Sequence, residues 1–319
     1  MFSSSSAIFV FKSTVLFMLL LASAYAKQLV FDYDAQNGLE TFSYQWQENN
    51  EVLNLSFSID SERFKSMPQT KAAFSNDRMQ REIQVALLKH AQQVNPRLAR
   101  VEVKRQGQRV QFGVSSRTPE HGEKIMAELK ETSKLARQTF LDEHFFTDYR
   151  AKTGAMAIKQ DHARYAKQSA EALEPIVDAI KRNLDNPDDP RAFISLALSW
   201  LQSIPYNTME SRLSSNGAGF VSPKDLLLQN QGDCDSKATF LAALLRAYSA
   251  GAKMQLVLLP EHALLAVALP KKPDEKIVKH EGINYILLEA TGPAYFDIGE
   301  VDEDTWRAIK NRQYSLEAM

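Results

Sequence analysis

Gly232-Asp233-Cys234-Asp235-Ser236-Lys237-Ala238 holds the only cysteine among 319 residues, and an apolar run of helical length, Thr239 to Tyr248, follows it directly. This predicts a core helix that begins at the cysteine. The N-terminal end of a helix favours negative charge, because the helix dipole and unpaired backbone N–H groups converge there. Asp233 and Asp235 flank the thiol. Both can cap the helix, and both oppose a thiolate, so they read as structural.

A thiol nucleophile needs a base, and the base needs an orienting partner. Downstream, Gly251 reads as the helix C-cap. Met254 to Leu259 and Ala263 to Leu269 read as buried strands around Pro260-Glu261-His262. A charged loop, Lys271 to His280, precedes a third strand that ends in Leu288-Glu289. Antiparallel pairing of these strands would bring His262 and Glu289 to one sheet edge beside Cys234. Glu289 follows three apolar residues, and a buried carboxylate requires a partner. Asp297, past the Thr291-Gly292-Pro293 turn, is the weaker alternative orienter.

Upstream, Asp189-Pro190 starts a helix running through Phe193, Leu196, Trp200 and Leu201 to Ile204-Pro205-Tyr206. The Asn207–Gly219 stretch is a polar loop, and Ser222-Pro223 opens a short helix. Residues 187–319 thus form one expected domain. The acidic run before Pro190 lacks the glycine and distal glutamate of a calcium loop, so no metal or other cofactor is expected. Residues 119–186 read as a helical connector with stripes at Ile125, Leu129, Ala136, Phe140 and at Ala166, Leu173, Ile176, Ile180; Pro175 kinks or restarts the second helix. Residues 27–118 read as a small α+β module. Two hairpins, 42–59 and 99–114, flank a helix carrying Met79, Ile83 and Leu87. Such a module suits docking of an envelope partner.

The N-terminus carries Lys12, an apolar run from Thr14 to Leu21, and Ala24-Tyr25-Ala26 as a cleavage site, so residues 1–26 read as a signal peptide. That predicts a periplasmic or secreted protein with no membrane span in its mature form. One cysteine cannot make an internal disulfide, and stability then rests on the core. A formal net charge of −1 gives no support to nucleic-acid binding.

The ordered set Ile204-Pro205-Tyr206, Ser222-Pro223-Lys224-Asp225, Gly232-Asp233-Cys234, Glu261-His262-Ala263 and Leu288-Glu289-Ala290-Thr291 resembles the transglutaminase-like branch of the papain-like thiol enzymes. The resemblance covers about Phe193 to Phe296. It departs from the family at Glu289, where an aspartate is usual, and at Leu264, where an aromatic is frequent. It implies an α+β fold with the cysteine helix packed on an antiparallel sheet, and a Cys234–His262–Glu289 triad. The implied activity is an exported hydrolase of protein or peptide amides. An acyl transferase using the same triad, and a non-catalytic binding module keeping the fold, are the alternatives. The oxyanion would be held by the Cys234 backbone N–H and by a side chain from Tyr206, Gln202 or Gln231.

Overall fold

The computed structural model describes residues 26–150, 156–209 and 219–319. The expected leader, apart from Ala26, lies outside the described residues, as do positions 210–218 of the polar loop. The chain is an α+β protein. It begins with three antiparallel strands, β1 (Lys27–Gln36), β2 (Leu39–Glu48) and β3 (Glu51–Asp60), in the order β1-β2-β3. On β2, Phe42, Tyr44 and Trp46 alternate inward; on β3, Leu55, Phe57 and Ile59 do the same. That period of two gives the sheet one buried face. Helix α1 (Ser61–Ser66) follows, capped by Asp60.

A second group comprises α2 (Asn76–Gln93), the hairpin β4 (Ala99–Gln106) and β5 (Arg109–Ser116), and α3 (Pro119–Glu143). Ser75 caps α2, and Thr118 caps α3 with Pro119 in the first turn. Strands β6 (Phe146–Arg150) and β7 (Met156–Gln160) then pair antiparallel. This corrects the all-helical reading of 119–186. Phe146 and Tyr149 stand on opposite faces of β6, and Phe146 joins the core under α3.

Helix α4 (His162–Ser169) and a 3-10 turn at Glu171–Leu173 lead to α5 (Glu174–Arg182), which Pro175 opens. Next come α6 (Pro190–Ser203), capped by Asp189, then α7 (Pro223–Gln229) and the cysteine helix α8 (Cys234–Tyr248). The C-cap of α8 is Ser249 in an extended conformation, not the expected Gly251. Strands β8 (Met254–Leu258), β9 (Ala263–Val267), β10 (Ile277–His280) and β11 (Ile283–Leu288) follow, then α9 (Glu303–Lys310) and β12 (Ser315–Ala318). They form an antiparallel sheet in the order β10-β11-β9-β8-β12. Leu256, Leu265 and Leu288 pack toward α8, while Val257, Leu264 and Leu287 pack toward Trp306 and Ile309 of α9. Both faces are covered, which is why β8 and β9 read as continuous apolar runs.

The packing does not follow the boundary expected at residue 118. The β1–β3 sheet belongs to the same core as α5, α6 and α8. Trp200 meets Tyr44 and Phe57 edge-on at 5.1 and 5.9 Å, and Phe240 at 5.6 Å. Trp46 Nε1 donates to Ser199 Oγ at 2.8 Å. Met79, Ile83, Leu87, Leu129 and Phe140 make a separate core. The first sheet and the cysteine helix are therefore one body, with α2 to α3 a satellite of it. Among the described residues, no helix is long and apolar enough to cross a membrane.

Candidate active site

Asp233 N-caps α8 by accepting the Ser236 N–H at 3.1 Å, which fixes Cys234 as the first helical residue. Gly232 precedes it in a close approach, since a Cβ there would meet Leu226 Cδ1 at 3.1 Å and Ser236 Cβ at 3.2 Å. The same glycine ties the site to the arm after α6. Gly232 N donates to Pro205 O at 3.3 Å, and Asn207 N donates to Gly232 O at 3.2 Å. Tyr206 is thereby held alongside the cysteine turn.

His262 sits at the tip of the β8–β9 hairpin, where Leu259 N donates to its carbonyl at 2.8 Å. Glu289 immediately follows β11. Because β9 pairs antiparallel with both β8 and β11, the two residues reach the same sheet edge. His262 Nε2 donates to Glu289 Oε2 at 2.6 Å, and the ring and Cys234 line the same cavity. With Nε2 engaged by the glutamate, Nδ1 is the atom left for the thiol. Glu289 is 2% exposed, yet both its oxygens are satisfied, since Oε1 accepts from Thr291 N at 2.8 Å. Burial works against a charge on His262. The interactions with Cys234 and Glu289 outweigh it and push the imidazole up to about 10. Cys234 and His262, with Tyr206, Asp233, Asp235, Leu258 and Glu261, surround an open cavity of about 570 Å³; Glu289 is not in its wall and bonds to the imidazole.

The three side chains considered for the oxyanion are differently placed. Tyr206 lines the cavity and is 47% exposed. Gln202 is buried, and its amide nitrogen donates to Glu289 O at 2.7 Å and Phe296 O at 2.9 Å. Both its hydrogens are spent on holding the Glu289 turn, so Gln202 is not an oxyanion donor. Gln231 accepts from Asn207 Nδ2 at 3.1 Å and does not line the cavity. Asp297 accepts from Ser195 Oγ at 3.2 Å and from Ile298 N at 2.7 Å, which occupies it away from His262.

The sequence reading covers Asp233 and Asp235 but passes over two further charged groups near the site, Lys237 and His162. Lys237 is fully buried, one turn beyond Cys234, and its Nζ donates to Ile204 O. Burial pulls its ammonium down to about 7, against the opposing pull of Glu289 and Asp233. Burial and the neighbouring Asp235 charge hold the Asp233 carboxyl well above its usual range, so it keeps its proton at neutral pH. Asp235 moves the other way. Burial would raise it, but the hydrogen bond from His162 and that ring's charge outweigh burial and lower it. Lys237 carries a signal after the fact, being a lysine directly before the uncharged run Ala238 to Leu245 of the same helix. His162 carries none, because its role depends on the docking of α4 against α8.

Among the described residues no cluster of side chains could hold a metal ion. Compared with protein-family models, with curated proteins and with solved structures, the chain finds no match.

Proposed function

We propose that the chain is a thiol-dependent hydrolase of protein or peptide amide bonds, of the transglutaminase-like kind, acting through Cys234, His262 and Glu289. The observation that supports this best is the single imidazole that shares a cavity with the only cysteine and is hydrogen-bonded to a buried carboxylate held at both oxygens.

In the first step, the Cys234 sulfur attacks the amide carbonyl carbon and His262 holds the thiol proton. The negative oxygen that forms needs donors. The Cys234 backbone N–H at the first position of α8 is one, because the Asp233 cap engages Ser236 N instead. The Tyr206 hydroxyl at the cavity wall is the other. The C–N bond then breaks, His262 passes its proton to the leaving amine, and a thioester remains. Water attacks the thioester, His262 takes a proton from it, and the C–S bond breaks to release the acid and restore the thiol. Glu289 orients the ring throughout and stabilises its cationic form.

The test is alkylation of the full chain by iodoacetamide at pH 6–7, read by intact mass, together with peptide-amide hydrolysis. The expected result is labelling at Cys234 faster than free cysteine, and hydrolysis lost in Cys234→Ala. Labelling no faster than free cysteine sinks the proposal.

A further inference from the structure

The mechanism leaves one problem at Cys234. The nucleophile stands between two aspartates, and negative charge beside a thiol disfavours its thiolate. Asp233 is neutral through its retained proton, and its Oδ1 accepts from the Ser236 N–H and hydroxyl. Asp235 is the ionised member, and it lines the cavity with Cys234.

The structure places a second histidine against this second carboxylate. His162, at the start of α4 and 3% exposed, lies with Nε2 3.0 Å from Asp235 Oδ2. On the other side of the ring, Nδ1 is 3.2 Å from Lys159 Nζ. A carboxylate can only accept, so Nε2 carries a proton directed at Asp235. Lys159 in turn pairs with Glu317 of β12, whose carboxylate lies 3.9 Å from His162 Nδ1. The ring packs edge-on against Phe220 at 5.0 Å, which fixes its plane. A donor from α4 is thus aimed at Asp235, with a cation beside its ring, and neither His162 nor Lys159 lines the cavity.

We propose that His162 is a positioning residue of the thiol centre: by holding Asp235 through Nε2 it draws that carboxylate and its charge away from Cys234. The proposal rests on the thiol-hydrolase reading above. His162 touches no reacting atom. Its effect passes through Asp235, and it comes from α4, outside the 187–319 segment where the site would have been sought. The other ionisable groups facing this centre are Asp233, Lys237, His262, Glu289 and Glu261, with Lys159 and Glu317 behind the ring.

The test measures the rate of Cys234 alkylation by iodoacetamide from pH 5 to 9 in the full chain. His162→Ala is expected to slow alkylation at pH 6 by about tenfold, because a freed carboxylate then faces the thiol. Adding Asp235→Asn to that variant is expected to recover most of the loss, because the harmful charge is gone. His162→Gln, which keeps an amide donor, is expected to fall between His162→Ala and the wild type. If His162→Ala does not fold, His162→Leu and His162→Leu/Asp235→Asn give the same comparison with the ring volume retained. A His162 variant that alkylates at the wild-type rate overturns the proposal. So does a double variant as slow as the single one, which is what a purely structural histidine would give. A wild-type thiol no faster than free cysteine fails the underlying reading instead, and the two failures are told apart by the wild-type trace alone.

Discussion

Glu289 is held at both oxygens, by His262 Nε2 at 2.6 Å and by the Thr291 N–H at 2.8 Å, so the carboxylate cannot swing away from the imidazole. Replacing it by an amide keeps the shape and removes the charge. Glu289→Gln is expected to lower amide turnover by roughly 10²- to 10⁴-fold, with Cys234 still present and the protein still folded. Peptide hydrolysis alongside circular dichroism checks this; turnover within a factor of about three of wild type would argue against the triad.

The same pair sets a pH dependence of stability. The folded imidazole is raised to about 10 from an ordinary 6.5, so the folded state binds its proton more tightly than the unfolded chain does. The resulting stabilisation is full below about pH 6.5 and is lost as pH rises toward 10. Urea unfolding of wild type and Glu289→Gln should therefore show a constant gap at pH 5–6 that narrows steadily by pH 10.

Lys237 should behave in the opposite sense. Its folded ammonium is lowered to about 7 from 10.5, so between these values the folded state holds fewer protons than the unfolded one. Its contribution therefore improves as pH rises across that window. In Lys237→Met the Ile204 carbonyl loses its donor, at a cost of about 1–3 kcal/mol. Denaturant melts should show that full cost only near pH 10.5 and a smaller one near pH 6, where wild type must bury a charge.

Gly292 packs on the backbone of α6. A Cβ there would lie 1.8 Å from Gln202 O, and the obstacle is main chain rather than a flexible side chain. Gly292→Ala should lower thermal stability and, by displacing the turn after Glu289, slow Cys234 alkylation. Gln202→Ala should do both more mildly, since it removes the amide that ties Glu289 O to Phe296 O.

The first sheet should prove inseparable from the site. Trp46 is fully buried against α6, and Trp46→Ala is expected to cost about 3–5 kcal/mol in urea unfolding. A fragment spanning 187–319 alone should be unfolded by circular dichroism, because Trp200 and Phe240 lose the β2–β3 face. A cooperative melt of that fragment would restore the boundary read from sequence.

The parts of the site legible in the sequence were those whose order along the chain matches their order in space. Cys234, His262 and Glu289 each end or begin a strongly apolar element, and antiparallel pairing of neighbouring strands does the rest. Strand β1 is hard to read as part of the core because most of its side chains are exposed, although Leu29, Phe31, Tyr33 and Ala35 alternate along it. β6 and β7 were hidden by lysine- and alanine-rich helical surroundings. Gln202 is one of three oxyanion candidates between which the sequence does not choose, and its amide closes two backbone carbonyls in the fold. Tertiary docking alone reveals His162, and the merger of the β1–β3 sheet with α6 and α8.

That merger determines when the molecule can fold. The Trp46–Ser199 bond joins residues 153 apart, and the reciprocal amide pair of Gln28 and Asn230 joins residues 202 apart. Closing such long loops makes folding slow. During synthesis the first sheet has nothing to close against until α6 and α8 exist. The inward face of the first sheet therefore finds its cover only after most of the chain has been made.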